Sequence, residues 1–371
     1  MSTLLAVVAA VMGAAVVGAV FLSAVVTVVV PRGVPVRLTR AVFGAVGRVF
    51  TLRTRLARTY RQRDRAMALY APLSLVSLPL VWLTIVLTGY AAIFWALGVG
   101  SVRRAVTISG SSLLTLGFAA SEDLLTTLLS FSEAAVGLIL VALVITYLPS
   151  MYASFSRREV LVTTNAIQAG DPPSAVEMLE RFHVLSHFDE LDATVWRPWS
   201  AWFADVEETH TSLGALAFFR SPDPQRSWIT AAGVVLDAAS LYSGAIDRDR
   251  SPSAELCIRS GFLCLRSIAD FFRIPHDPDP RPDDPISVSR QELDEACDRL
   301  ARAGAPIKAD RDLAWRDFAG WRVNYDTVLV SLAGFTVAPY APWSSDRSPV
   351  RGRRRGTPRP PRAGSGPSLP G

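Results

Sequence analysis

Residues 1–30 and 66–102 contain no charged side chain, and a third apolar run, Leu124–Met151, contains only Glu133. These runs constrain the fold more than any other feature of the 371-residue chain. About 20 apolar residues cross a bilayer as a helix, and backbone in hydrocarbon has to satisfy its own hydrogen bonds. Leu4–Val30, Tyr70–Gly98 and Leu124–Met151 are accordingly read as three transmembrane helices. The first lacks the basic leader and short apolar core of a cleavable signal peptide, so it is expected to be retained. From about residue 155 onward the composition becomes that of a water-soluble domain. The expected fold class is an all-α membrane protein with an all-α cytosolic domain.

Charge is partitioned along the same lines. Residues 31–68 hold ten Arg against Asp64, a net +9, and residues 346–371 hold seven Arg against Asp346, a net +6. Residues 151–345 hold 19 bases and 28 acids, a net −9. The basic blocks flank apolar runs or form a tail, so anionic lipid head groups are the expected partner of the 31–68 segment and no nucleic acid is expected. The positive-inside rule places residues 31–68 in the cytoplasm, the N-terminus outside and, after three crossings, the C-terminal domain in the cytosol. Arg157 and Arg158, just past the third run, agree with that parity. Of the 38 bases 37 are Arg, which suits a GC-rich bacterial genome and gives the inner membrane as the expected location.

Within the basic segment, Val42, Phe43, Val46, Val49 and Phe50 recur at helical spacing among arginines, the pattern of a helix lying in the membrane interface. Arg55, Arg58 and Arg61 lack the apolar neighbours of a voltage-sensing helix and are read as a solvated face. The acidic C-terminal domain is expected to dock partly against this basic segment. The tail 346–371, rich in Arg, Pro and Gly, is expected to be disordered.

Residues 100–123 read GSVRRAVTISGSSLLTLGFAASED, too long and apolar for a tight turn and too short and polar for two more spans. A half-helix that dips into the membrane and returns through non-helical backbone meets both limits, if that backbone lines a wet cavity or is buried in protein. Over about residues 70–160, the order of helix, half-helix, Thr115-Leu116-Gly117-Phe118-Ala119 and helix resembles the potassium-channel pore, whose filter reads Thr-Val-Gly-Tyr-Gly-Asp. The resemblance implies an ion-conducting filter at Thr115, Leu116, Gly117, Phe118 and Ala119. It also implies a pore helix ending in Thr107, Ser109, Ser111 and Ser112, and an inner-helix hinge at Gly137. One loop supplies a quarter of a filter, so a homotetramer is implied, with K⁺ or Na⁺ as the permeant ion and no other cofactor. Phe118 is expected to pack where the family's Tyr packs. Ala119 is expected to hold a left-handed backbone at a cost of roughly 1–2 kcal/mol per subunit. Ala120 stands where the family has a carboxylate.

Glu133 is an intramembrane carboxylate, a residue type that usually faces protein or water, and it is placed to reach the half-helix or a cavity. The C-terminal portion reads as helices over 156–169, 173–187, 199–219, 226–243, 252–272, 288–303 and 310–333, with no βαβ alternation and no G-x-G-x-x-G. His183 with His187 and Glu207 with His210 share helix faces but lack further metal ligands at useful spacing, so no metal site is expected. Asp277, Asp279, Asp283 and Asp284, among prolines, lack the Gly and closing Glu of a calcium loop and read as a stiff linker. Cys257, Cys264 and Cys297 read as small buried residues of a reducing compartment. No nucleophile elbow or triad spacing occurs, and the chain is not expected to be an enzyme. The domains expected are thus 1–30, 31–68, 69–154, 155–345 and 346–371. They form a channel-like protein passing monovalent cations or, as the alternative, a non-conducting membrane-anchored scaffold or sensor.

Overall fold

The computed structural model describes residues 3–29, 37–56, 60–119 and 123–348. Ala120, Arg58 and the tail beyond Ser348 therefore lie outside the described residues, as do the side chains of Arg55 and Arg61. The described residues form helices and no strand, with one isolated bridge between Ile246 and Ile307.

Three helices are long and apolar enough to cross a membrane: α1 (Thr3–Val29), α4 (Tyr70–Ala96) and α6 (Leu124–Ala169). Between the first two lie α2 (Arg37–Leu56) and α3 (Tyr60–Ala68), and α5 (Val102–Leu113) links α4 to α6. Helices α1 and α4 approach closely where Gly13 meets Gly89. A Cβ on Gly89 would stand 2.7 Å from Val17 and 3.1 Å from the Gly13 carbonyl. Small residues that let backbones touch are the usual means of packing helices in lipid, where no hydrophobic drive exists. The seam continues through the buried Val17, Val20 and Ala24. Helix α4 occupies the middle of this bundle and buries Trp82, Val86 and Phe94.

The interfacial pattern of α2 is amphipathic as expected, but it packs on protein. Val42 and Phe50 are buried, and the Phe43 carbonyl accepts a hydrogen bond of 3.2 Å from the Tyr70 hydroxyl. Val49 stays exposed.

Helix α6 is a single element of 46 residues, where separate helices at 124–151 and 156–169 were expected. Pro149 sits inside it without ending it, a tolerance common in membrane helices. The helix thus runs out of the apolar bundle and becomes a wall of the C-terminal domain. That domain continues with α7 (Ala175–Ser186), α8 (Arg197–Ser212), α9 (Trp228–Ala245), α10 (Pro252–Phe272), α11 (Arg290–Arg302), α12 (Arg311–Arg322) and α13 (Asp326–Phe335). Helix α9 is apolar on nearly all sides and forms the core that the others surround.

Two expected helices end early. The 199–219 segment stops at Ser212 and becomes a 3₁₀ turn over Gly214–Phe218, with Gly214 pressed against the Phe271 ring. The 310–333 segment breaks into α12 and α13. The Asn324 amide donates to the Gly320 carbonyl (3.0 Å) and the Trp321 carbonyl (3.3 Å), closing α12. Arg322 turns inward at that point to the buried Asp237 and, at 2.8 Å, to Asp326. At the far end Arg347 pairs with Glu292, so the packed domain includes the first residues assigned to the tail.

Candidate functional site

Helix α5 begins with Ser101 as its N-cap, the hydroxyl accepting from the Arg104 amide at 3.3 Å. Its apolar and small residues Ala105, Ile108, Ser109 and Leu113 are buried between α4 and α6. The position of its C-terminal end along α6 can be read from its neighbours. A Cβ on Gly137 would collide with the Leu113 carbonyl, so the C-terminal end of α5 rests directly on Gly137. Gly137 is 13 residues from the start of α6, about 20 Å along the axis at 1.5 Å per residue. Gly137 lies within continuous helix, and the function visible there is close approach.

The loop after Leu113 is a helix cap before it is anything else. The Thr115 amide donates to the Ser112 carbonyl (3.0 Å) and the Leu116 amide to the Ser111 carbonyl (2.8 Å), with Thr115 left-handed at φ +51°. This pair of bonds is a Schellman motif, in which the left-handed position is normally Gly. The Thr115 hydroxyl bonds the adjacent Leu114 carbonyl at 2.8 Å. Gly117 is the second positive-φ residue, at +72°, with open space where a Cβ would point. The left-handed positions of the loop are therefore Thr115 and Gly117, and Ala119 is not one of them.

Ser111 pins the loop twice. Its carbonyl accepts from Leu116, and its hydroxyl accepts from the Ala119 amide at 3.1 Å. Ala119 packs against the apolar bundle, whereas Leu116 and Phe118 are exposed, 60% and 68%. Phe118 does not find within its own chain the packing expected of it.

Glu133 is fully buried on α6 and faces α5. The Ser109 hydroxyl stands 2.5 Å from Glu133 Oε1 and 2.9 Å from the Leu87 carbonyl, one proton between two acceptors. Glu133 Oε2 has no partner among the described residues. Ser109 and Ser111 belong to the hydroxyl-rich stretch noted in the sequence, but their division of labour is set by helix phase. They are the buried members, while Thr107 bonds back to the Arg103 carbonyl at 2.8 Å.

The other candidate residues are structural. His210 is buried under Trp228, ring centroids 4.9 Å apart, and its Nε2 lies 3.1 Å from Arg158 Nη1. Burial, then the Arg158 charge, holds its imidazole well below the usual histidine range, so it is neutral. Nε2 accepts from Arg158, which leaves Nδ1 to donate to the Thr209 hydroxyl at 3.2 Å. His187 is the left-handed cap of α7, at φ +51°. Among the described residues no three His, Cys, Asp or Glu converge for a metal. The cysteines are buried thiols, and burial pushes Cys257 up to about 12.

Arg158 itself was read only as a positive flank. Each of its five N–H groups has a partner: Glu159 Oε1 twice (3.0 and 2.8 Å), His210, and the carbonyls of Leu216 (2.8 Å) and Phe219 (2.9 Å). The residues it holds, 216–219, carry Phe218 to an edge-on contact with Tyr70 of α4 at 5.2 Å. Beside it Arg220 pairs with Asp64 of α3 at 3.5 Å. The domain thus docks through a base of the acidic domain, the one acid of the basic segment, and aromatic rings. Net charge concealed that polarity. No protein-family model, no curated protein and no solved structure matches the chain.

Proposed function

We propose that the chain is one subunit of a membrane pore for monovalent cations, K⁺ or Na⁺, in which α4, α5 and α6 act as outer helix, re-entrant pore helix and inner helix. The observation that carries this reading is the seat of the Leu113 carbonyl on Gly137, about 20 Å along α6. In this reading the chain enters beside the end of α4, turns near Gly137 and returns to Leu124, and residues 114–119 line the centre of an assembly. Non-helical backbone at such depth needs a wet cavity or protein around it. Exposed Leu116 and Phe118 need neighbours that a single chain lacks, which favours four copies about an axis. Helix α6 adds to this with exposed Leu138, Ile145, Tyr152, Val160 and Ile167, in steps of seven or eight, extending beyond the apolar run. In this reading the N-terminus is outside, the C-terminal domain is cytosolic, and the membrane is a bacterial inner membrane.

The second reading, a non-conducting anchor with a scaffold or sensor domain, is favoured by Thr115. Its left-handed cap conformation uses up the residue that would line the innermost filter position. Flux of K⁺ and Na⁺ from liposomes holding the wild type and Gly117→Ala separates the two. Alanine at φ +72° meets no clash but costs roughly 1–2 kcal/mol, enough to rearrange the loop while leaving the helices assembled. The pore reading expects cation flux from tetramers and its loss in Gly117→Ala. A monomer in native mass spectrometry, or equal flux from both proteins, overturns it.

A further inference from the structure

Inside the C-terminal domain, the last turns of α6 and the first turn of α9 border a cavity of about 100 Å³, the space of about three water molecules. The two helices present ends of opposite polarity to it. Ala166 and Gly170 belong to the carbonyl end of α6, and Ser227, Thr230 and Ala231 belong to the amide end of α9. Ser227 is the N-cap of α9, but its side chain makes no capping bond. The first intrahelical bond there runs from the Ala231 amide to the Ser227 carbonyl at 3.0 Å. The amides of Trp228, Ile229 and Thr230 therefore receive no acceptor from the helix itself.

A second, independent feature points to a ligand. Asn165 of α6 is 1% exposed and lines the same cavity, and its amide nitrogen has no partner among the described residues. Buried polar groups are normally hydrogen-bonded, so an open amide at a cavity wall keeps a donor for something that enters. The charges at the rim are mixed. Asp171 follows directly on the end of α6, and Asp223 pairs with Arg226 at 3.5 Å. Two carboxylates against one guanidinium disfavour a simple anion, and the amide end of α9 disfavours a simple cation. A small molecule that carries both charges suits both ends. We infer that this cavity binds a small α-amino acid, of the size of glycine or alanine. Its carboxylate lies at the first turn of α9 with the Asn165 amide, and its ammonium faces Asp171 and the carbonyl end of α6. Bound there, it ties the last turns of α6 to the core helix α9. The domain thereby has a ligand whether or not the bundle conducts.

The test is isothermal titration calorimetry of the full-length protein in detergent with glycine, alanine, acetate, methylammonium and leucine. Glycine or alanine is expected to bind at one per chain. Acetate and methylammonium, with one charge each, are expected to bind about 10-fold more weakly or worse, and leucine not at all for want of space. Asn165→Leu keeps the size of the side chain and removes the amide. It is expected to lose glycine and alanine binding while melting no lower than the wild type, because an unpaired buried amide is gone. Asp171→Asn, at an exposed position, is expected to weaken glycine about 10-fold and leave acetate unchanged, and it decides the matter if Asn165→Leu fails to fold. Absence of glycine and alanine binding to the wild type leaves a cavity that holds water alone and overturns the site. Acetate, methylammonium or leucine bound as tightly as glycine overturns it, as does undiminished glycine binding in either variant. Flux is not part of the readout, so a silent pore leaves the result standing and a failed amino-acid site leaves the pore reading standing.

Discussion

Helix α6 carries three buried ionisable residues, Glu133, Arg158 and Glu159, and the fold treats the first two in opposite ways. Arg158, in the C-terminal domain, has a partner for every N–H it owns, and Trp202 bonds its carbonyl at 3.0 Å. Glu133, in the apolar bundle, shares one hydroxyl with a backbone carbonyl and leaves an oxygen unpaired. An unpaired buried polar atom costs about 1–3 kcal/mol, so a chain that retains one has left room there for a proton, a water, an ion or another subunit. The domain satisfies every donor of Arg158, although Glu159 Oε2 stays unpaired beside it, and the bundle leaves its buried carboxyl half-paired.

The largest expected effect lies on the complete side. Arg158→Leu strands the Glu159 carboxylate and the carbonyls of Leu216 and Phe219 in a dry interior. Removing one partner of such a network costs roughly 3–5 kcal/mol. The variant should melt far below the wild type in tryptophan fluorescence, and proteolysis should free the domain from the bundle, because residues 216–219 carry the contact with Tyr70. A loss under about 1 kcal/mol would show that the network is ornamental and erase the contrast with Glu133.

The second effect tests whether the bundle is closely fitted where α5 ends. Gly137→Ala drives a Cβ into the Leu113 carbonyl, which is backbone and cannot swing away. The expected cost is about 1–3 kcal/mol, with α5 displaced and, on the pore reading, flux reduced in step. Gly18→Ala on α1, where nothing lies within 4 Å, is the control and should leave both unchanged. Loss of stability in both variants alike would show that the contact with Leu113 is not its cause, because alanine for glycine by itself favours a helix.

How much of this was legible follows the same division. Two of the three long apolar helices were readable to within a residue or two, Leu4–Val30 against Thr3–Val29 and Tyr70–Gly98 against Tyr70–Ala96, because an arginine-rich segment separates two long runs without charge. That a short helix, α5, joins α4 to α6 was readable from length and polarity. The continuity of α6 through Pro149 was not, because the residue that breaks soluble helices is tolerated where neighbours fill in. Ala119 was assigned the left-handed backbone by alignment of letters, whereas hydrogen bonding from the helix end puts it at Thr115 and Gly117. Asp64 with Arg220, and Arg158 with His210, join residues more than 50 positions apart, and no local pattern announces such pairs.

A third prediction uses pH to probe the complete network. His210 is neutral in the folded domain, its imidazole held well below the ordinary value of 6.5, while the unfolded chain takes up a proton near that value. Below pH 6.5 the unfolded state therefore binds more protons, and stability falls by up to about 1.4 kcal/mol per pH unit. Asp237 works the other way, since burial pushes its carboxyl up to about 6 against the pull of Arg322. The comparison to make is wild type against His210→Gln at pH 7.5 and 5.5. The difference in melting temperature between the two proteins should shift toward the variant on acidification. A pH-independent difference would mean that His210 takes up its proton without leaving the core.

The smallest expected change in stability, and the sharpest test of the comparison, is Glu133→Gln. The amide is the same shape as the carboxyl and can donate to Ser109, which frees the serine proton for the Leu87 carbonyl alone. The shortage of protons in that cluster then disappears, so the melting temperature should hold within about 1 kcal/mol of stability or rise. If the open oxygen serves only packing, nothing else should change. If, on the pore reading, it stabilises a cation or a proton beside a conducting path, flux should fall although the protein is no less stable. A drop of about ten-fold corresponds to ~1.4 kcal/mol of lost attraction. Ser109→Ala completes the cycle: it removes the hydroxyl and leaves the carboxylate wholly unpaired, so it should destabilise the wild type more than it destabilises Glu133→Gln. Equal cost in both backgrounds would mean that the serine and the carboxyl do not act together. Loss of flux with retained stability in Glu133→Gln alone would assign the half-paired carboxyl to transport.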